Sequence, residues 1–235
     1  MRSPAPHYHH EHPSRWLPWP PMLLVLLLAS ILPELVLTLA DQGVVGPPYL
    51  RLLAYQLGAF QPDLLTGQGL QVYAAQPVVM FLSYSVIHTG LLHLAGNMAA
   101  LLYLGRLTLE RRSGRGLWGL YLVATTGAAV MFTLVGPPHA TMVGASGALF
   151  GLLGAWAVDS GLLSPKGPMA APRPLIQFLN LLACAGALIL FDIAGRVLLG
   201  TPVAWQAHTG GFLSGALFAL ILPHDRRPAR APTSD

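Results

Sequence analysis

Six stretches of the chain are predominantly apolar: 22–40, 83–105, 116–135, 146–158, 175–191 and 205–222. A helix needs about 20 residues to cross a hydrocarbon core of about 30 Å, so the pattern predicts six membrane-spanning helices. Between the first two runs, 41–82 is less apolar and carries Gly43, Gly46, Pro47, Pro48, Pro62, Gly67, Gly69 and Pro77. This is a loop of about 40 residues, a length usually tied to function or disorder. Its Leu, Tyr and Phe content around Leu50–Phe60 predicts a short amphipathic helix in the interface. The first run, of about 19 residues, exceeds the apolar region of a signal peptide, and no small-x-small cleavage site follows it, so it reads as a retained span. Residues 1–20 are polar and Pro-rich, with His7, His9, His10 and His12, and read as a disordered cytoplasmic tail; Trp16 and Trp19 mark an interface. The predicted organisation is a tail over 1–20, one membrane domain over 21–223 and a C-terminal cytoplasmic tail over 224–235.

Composition supports this division. The chain is 54% hydrophobic and 9% charged, whereas soluble domains carry about 25% charged residues. So little charge cannot coat a soluble globule, and so much apolar content is incompatible with disorder. The expected fold is all-α, a polytopic six-helix membrane bundle. The net charge of +4 does not point to nucleic acid, because the basic residues fall in short clusters between apolar runs. With the N-terminus inside, eleven of the 13 Lys and Arg lie on inner segments, and only Arg51 and Arg196 lie outside. Both termini are then cytoplasmic, and a bacterial inner membrane is the expected location. The lone Cys184 lies within an apolar run and reads as a packing residue.

The fourth run is short. From Ser146 to Asp159 a helix rises only about 20 Å. If Asp159 sits at the inner surface, Ser146 starts its helix about 10 Å below the outer one. The segment before it, Gly136-Pro137-Pro138-His139-Ala140-Thr141-Met142-Val143-Gly144-Ala145, contains too much Gly and Pro for regular helix. Irregular backbone at that depth needs protein or water around it, which predicts a recessed wet pocket opening to the extracytoplasmic side with Ser146 at its floor.

Polar residues inside spans are costly and are functional hypotheses by default. The second run carries His88, His93 and Asn97, the fourth begins Gly144-Ala145-Ser146-Gly147, and the sixth carries His208. In the expected topology all three runs travel from outside to inside, so these groups share one depth. A serine hydroxyl becomes a nucleophile when a base accepts its proton. That demands close approach of two helices, which small residues permit: Gly147 and Gly151 follow Ser146, and Gly211 and Gly215 follow His208. The alternative is packing alone, with Ser146 capping its helix; the capping and catalytic roles are compatible. His93 and Asn97 share one helix face and can donate, with the Ser146 N–H, to an oxyanion formed during acyl transfer; their alternative is interhelical bonding. Structural bonding to loop residues is the reading for His88. Glu34, mid-span after Pro33, is expected to hydrogen-bond a neighbouring helix without a catalytic partner. No His/Cys/carboxylate spacing matches a metal site, and no cofactor is expected. Asp159 and Asp192 lie at span ends, so the predicted unit is a Ser146/His208 dyad.

These motifs resemble a known family. His93-Leu94-Ala95-Gly96-Asn97, Gly144-Ala145-Ser146-Gly147 and Ala207-His208-Thr209-Gly210-Gly211 followed by Gly215 are similar to the three signatures of the rhomboid intramembrane serine proteases, over roughly residues 80–222. Glu110-Arg111 also resembles the family. The resemblance implies a Ser146/His208 dyad, an oxyanion hole at His93 and Asn97, and cleavage of transmembrane protein substrates in or beside their spans. It also implies a first loop embedded in the bilayer and a mobile fifth span. This chain has no Trp between Trp19 and Trp118, where many rhomboids have a Trp-Arg pair, and it has Phe150 where they often place a Tyr. Its ring can pack on His208 without a phenol hydroxyl. The rival functions are a non-catalytic membrane-client binding protein of the same fold and a transporter, though the repeats and paired broken helices of transporters are not evident. The motifs carry no information on oligomeric state.

Overall fold

Each apolar run contains a helix. The computed structural model describes residues 21–164, 169, 174–199 and 204–222, without the side chains at 188, 191, 192, 194, 196, 198 and 199. The tails over 1–20 and 224–235, with their histidines, Trp16, Trp19, Arg2, Arg15, Arg226, Arg227 and Arg230, lie outside the described residues, as do Lys166, Arg173 and the side chains of Asp192 and Arg196. The helices are α1 Pro21–Asp41, α2 Leu50–Gly58, α3 Asp63–Thr66, α4 Gln76–Ser83, α5 Leu91–Arg111, α6 Gly114–Val135, α7 Ser146–Asp159, α8 Pro174–Leu199 and α9 Trp205–Ile221, with one 3₁₀ turn at Tyr84–Val86. Among the described residues there is no strand, only an antiparallel bridge between Phe60 and Met142.

By length and composition α1 and α6 can each cross a membrane. The pair Gln76–Val86 and Leu91–Arg111, bent by 85°, makes a third crossing if it is one span. The architecture is therefore mostly helical with two or three membrane-capable helices, and the shorter α7 would need the recessed start argued above.

The second run differs from expectation. It is not one helix from Ser83: the chain turns at 87–90, and α5 then continues past Gly105 to Arg111. Gly90 lies at φ +151°, a conformation open essentially to glycine. The His88 carbonyl is also taken by Arg51 Nη1 (2.9 Å) and the Tyr55 hydroxyl (3.2 Å), so it accepts from outside the helix. His88 consequently lies in the connection before α5 rather than on it.

α7 forms the centre, against α9, α6 and α5. Ten of its 14 residues are buried. Leu149, Leu152, Ala155 and Val158 join a core with Leu94, Met98 and Leu101 of α5 and Leu117, Leu120 and Ala124 of α6. α1 adds Leu23, Leu26 and Leu27, and Leu23 fills the space beside Gly105. The loop after α1 builds a second cluster, in which Phe60, Leu64, Met80 and Tyr84 pack on Ala128, Ala129 and Phe132 of α6. Outward faces carry Leu24, Leu28 and Leu32 of α1 and Leu175, Phe178 and Leu182 of α8. Lipid solvates such side chains, so helix association rests on close packing and polar contacts.

Candidate active site

Glycine brings α7 and α9 together. A Cβ added to Gly211 would run into the carbonyl oxygen of Gly147, and one on Gly215 into that of Gly151. The two backbones therefore touch, and the residues heading each stripe meet: His208 Nε2 lies 2.9 Å from Ser146 Oγ. His208 is 3% exposed, in the first turn of α9. Phe150, one turn along α7 from Ser146, stacks on the imidazole at 4.3 Å between centroids and 30° between planes. That ring limits how the imidazole can rotate while leaving Nε2 on the hydroxyl.

Ser146 is the first residue of α7, and the N-cap position belongs to Ala145, which offers no side-chain cap. The expected cap by Ser146 is thus absent, because Ser146 occupies the first helical position rather than the N-cap. Backbone N–H groups in a first helical turn lack intrahelical acceptors and sit at the positive end of the helix dipole, so the Ser146 amide is a donor beside its own hydroxyl.

The loop before α7 is pinned from the first loop. Phe60 and Met142 exchange backbone hydrogen bonds, both 2.9 Å, and the Tyr84 carbonyl accepts from Gly144 N at 2.8 Å. The Tyr84 hydroxyl donates to the Thr125 carbonyl at 2.9 Å. Gly144, at φ +117°, leaves room for His93: a Cβ there would lie 2.7 Å from His93 Cε1 and 3.0 Å from Nε2. His93 thus turns its Nε2 edge toward the Gly144–Ser146 turn, while its Nδ1 lies 3.1 Å from Thr89 Oγ1. Asn97 is buried, and its Nδ2 donates to the His93 carbonyl at 2.9 Å. One N–H of that amide therefore serves its own helix; an NH₂ carries a second. The ring of His88 packs edge-on against His93 at 5.2 Å, and neither ring nitrogen has a partner among the described residues. The loop bonding expected of His88 is made by its carbonyl, not its ring.

Two ionic groups went further than sequence reasoning took them. Glu34 is fully buried and takes a two-pronged ion pair from Arg51, Nη1–Oε2 at 3.0 Å and Nη2–Oε1 at 2.9 Å, with Thr38 Oγ1 donating at 3.0 Å. Arg51 Nε also reaches Asp41 at 2.7 Å. The hydrogen bonds that Arg51 donates to Glu34 push its guanidinium further into its charged range, and burial pushes the Tyr55 phenol up. The signal was present, since a carboxylate in an apolar run needs a cation and Arg51 was one of two on its side. At the far end of the bundle Asp159 pairs with Arg112, through Nε–Oδ2 at 3.0 Å and Nη2–Oδ1 at 2.8 Å, and Arg111 donates to the Asp159 carbonyl. No group of three or more His, Cys, Asp or Glu fit to hold a metal occurs among the described residues.

Comparison with known proteins agrees with this arrangement. The family model described as Rhomboid domain matches residues 75–225. "RHOMBOID-like protein 1" of Arabidopsis thaliana is 35% identical over 138 residues, covering 57% of this chain and 32% of that protein. "Rhomboid-like protein 11, chloroplastic", also of Arabidopsis thaliana, is 40% identical over 72 residues, covering 31% of this chain and 26% of that protein. The chain thus matches about a third or less of the length of either relative. With the family model matching well over half of its residues, and with apolar helices of membrane-crossing length, the chain is an integral membrane protein of the rhomboid family.

Proposed function

We propose that this protein is an intramembrane serine endopeptidase that hydrolyses peptide bonds in or beside transmembrane segments. The observation that carries the reading is the 2.9 Å contact between Ser146 Oγ and His208 Nε2, at the start of a buried helix and beneath a stacked aromatic ring. His208 takes the Ser146 proton as the hydroxyl attacks the substrate carbonyl. The resulting oxyanion is met by the Ser146 amide, His93 and Asn97. His208 then protonates the leaving amine, an acyl-enzyme remains on Ser146, and a water activated by His208 releases it. Phe150 holds the imidazole, and Gly144, Gly147, Gly211 and Gly215 keep the two helices and His93 within reach.

In this reading α1, α5, α6, α7, α8 and α9 all cross the bilayer, both termini face the cytoplasm and the site opens to the other side. Support comes from the positive charges on the presumed inner segments and from the 14-residue length of α7.

The test is labelling by a fluorophosphonate, which reacts with an activated serine by forming an Oγ–P bond with loss of fluoride. Wild-type protein in detergent becomes labelled, while Ser146→Ala and His208→Ala, folded by thermal unfolding, do not. A wild type that takes no label is instead a client-binding relative without catalysis. Labelling that persists in Ser146→Ala removes Ser146 as nucleophile.

A further inference from the structure

Arg51 makes one contact that its ion pairs do not require. Its guanidinium is already held by Glu34 and Asp41, yet Nη1 also donates to the His88 carbonyl at 2.9 Å. Tyr55, one turn along α2, donates to the same oxygen at 3.2 Å. That carbonyl belongs to the peptide joining His88 to Thr89. The His88 ring packs on the His93 ring, and the Thr89 hydroxyl lies 3.1 Å from His93 Nδ1. Gly90, at φ +151°, then starts α5. The peptide is thus held from α2 at its carbonyl, while the side chains of the two residues it joins, His88 and Thr89, both meet the imidazole that faces Gly144.

The mechanical consequence follows from chemistry. When the Thr89 hydroxyl donates to Nδ1, the ring proton of His93 sits on Nε2, the nitrogen turned to the Ser146 turn. A displaced Thr89 would release both the tilt and the tautomer. The peptide before it has no helix of its own to fix it, since α5 begins only at Leu91. It is fixed by α2, and α2 is fixed to α1 by the buried Glu34 carboxylate, 0% exposed. A planar fork can grip Glu34 and a carbonyl at once; an ammonium is a point charge on a flexible stem.

We infer that Arg51, anchored by Glu34, is a positioning residue for His93: it clamps the His88–Thr89 peptide so that the His93 ring presents Nε2–H to the oxyanion site beside Ser146. The inference rests on the proposed hydrolytic reading, and its test separates the two.

The readout is the second-order rate of Ser146 phosphonylation by a fluorophosphonate, with the final stoichiometry counting competent sites. Arg51→Gln, Arg51→Lys and Glu34→Gln are measured in wild-type and His93→Ala backgrounds, alongside thermal unfolding. Arg51→Gln is expected to slow phosphonylation about 10- to 100-fold per competent site, as a displacement of up to an ångström does, with full final stoichiometry. Arg51→Lys recovers only part of the rate. In the His93→Ala background the same changes add nothing, because their effect passes through a ring no longer present. An unchanged rate in Arg51→Gln overturns the inference, and so does an equal fold-loss in the presence and absence of His93. If Arg51→Gln does not fold, Glu34→Gln carries the same comparison; if neither folds, the clamp serves stability alone and the inference is refuted. A wild type that takes no label removes the hydrolytic reading itself, and the positioning role with it.

Discussion

Asp159→Ala should destabilise the bundle strongly while leaving the chemistry intact. The Arg112 and Asp159 side chains are 3% and 5% exposed and meet through two hydrogen bonds of 2.8 and 3.0 Å. The third arm of the guanidinium donates to the Leu222 carbonyl at 2.8 Å, and the group lies 5.5 Å from the Phe218 ring centroid. One side chain thus ties the ends of α5, α7 and α9. Removing the carboxylate strands a buried cation, which costs about 3–5 kcal/mol, far above the fraction of a kcal/mol expected of an exposed pair. Replacing both partners, Arg112→Met with Asp159→Leu, should recover most of that loss, leaving about 1 kcal/mol for the orphaned Leu222 carbonyl. Reversible unfolding in mixed micelles measures the difference. Ser146 lies about 20 Å away at the other end of α7, so fluorophosphonate labelling per folded molecule should match wild type. A loss below about 1 kcal/mol in Asp159→Ala would show that water reaches the pair, contrary to its burial.

The seam between α7 and α9 gives the next expectation: Gly211→Ala forces a methyl against the Gly147 carbonyl, costing about 1–3 kcal/mol and separating Ser146 from His208, so both melting temperature and labelling should fall. A Gly211→Ala protein that labels at the wild-type rate would mean the helices have slack. Asn97→Ala should slow fluorophosphonate labelling about 100- to 1,000-fold if its second N–H serves the oxyanion; an unchanged rate would leave it only its bond to the His93 carbonyl. Phe150→Leu removes a stacked ring, an interaction of about 0.5–1.5 kcal/mol, and should reduce the labelling rate several-fold, whereas no change would show that His208 is held by other contacts.

The helices and the meeting of α7 with α9 were legible because membranes impose plain rules: long apolar runs, and glycine where backbones touch. Ser146 and His208 each head such a stripe, which is why their proximity was readable without coordinates. The break before α5 was not. There the His88 carbonyl accepts from Arg51 and Tyr55, some 33–37 residues earlier in the chain, contacts of which local hydrophobicity holds no trace. Ser146 as a cap failed for a different reason: the helix starts at Ser146 itself, so the capping position falls one residue earlier, on Ala145. The hydrogen bond expected from Glu34 to a neighbouring helix is made, to Arg51 of α2, but the partner was not named because it lies across the turn that follows α1.

The reciprocal bridge between Phe60 and Met142 has a kinetic corollary. Neither loop can peel away without breaking both of the shared hydrogen bonds, so the two should open as a single unit. Deuterium uptake at the Phe60 and Met142 amides should therefore follow one common rate, and loosening the segment around Phe60 should speed solvent entry to the turn that leads into Ser146.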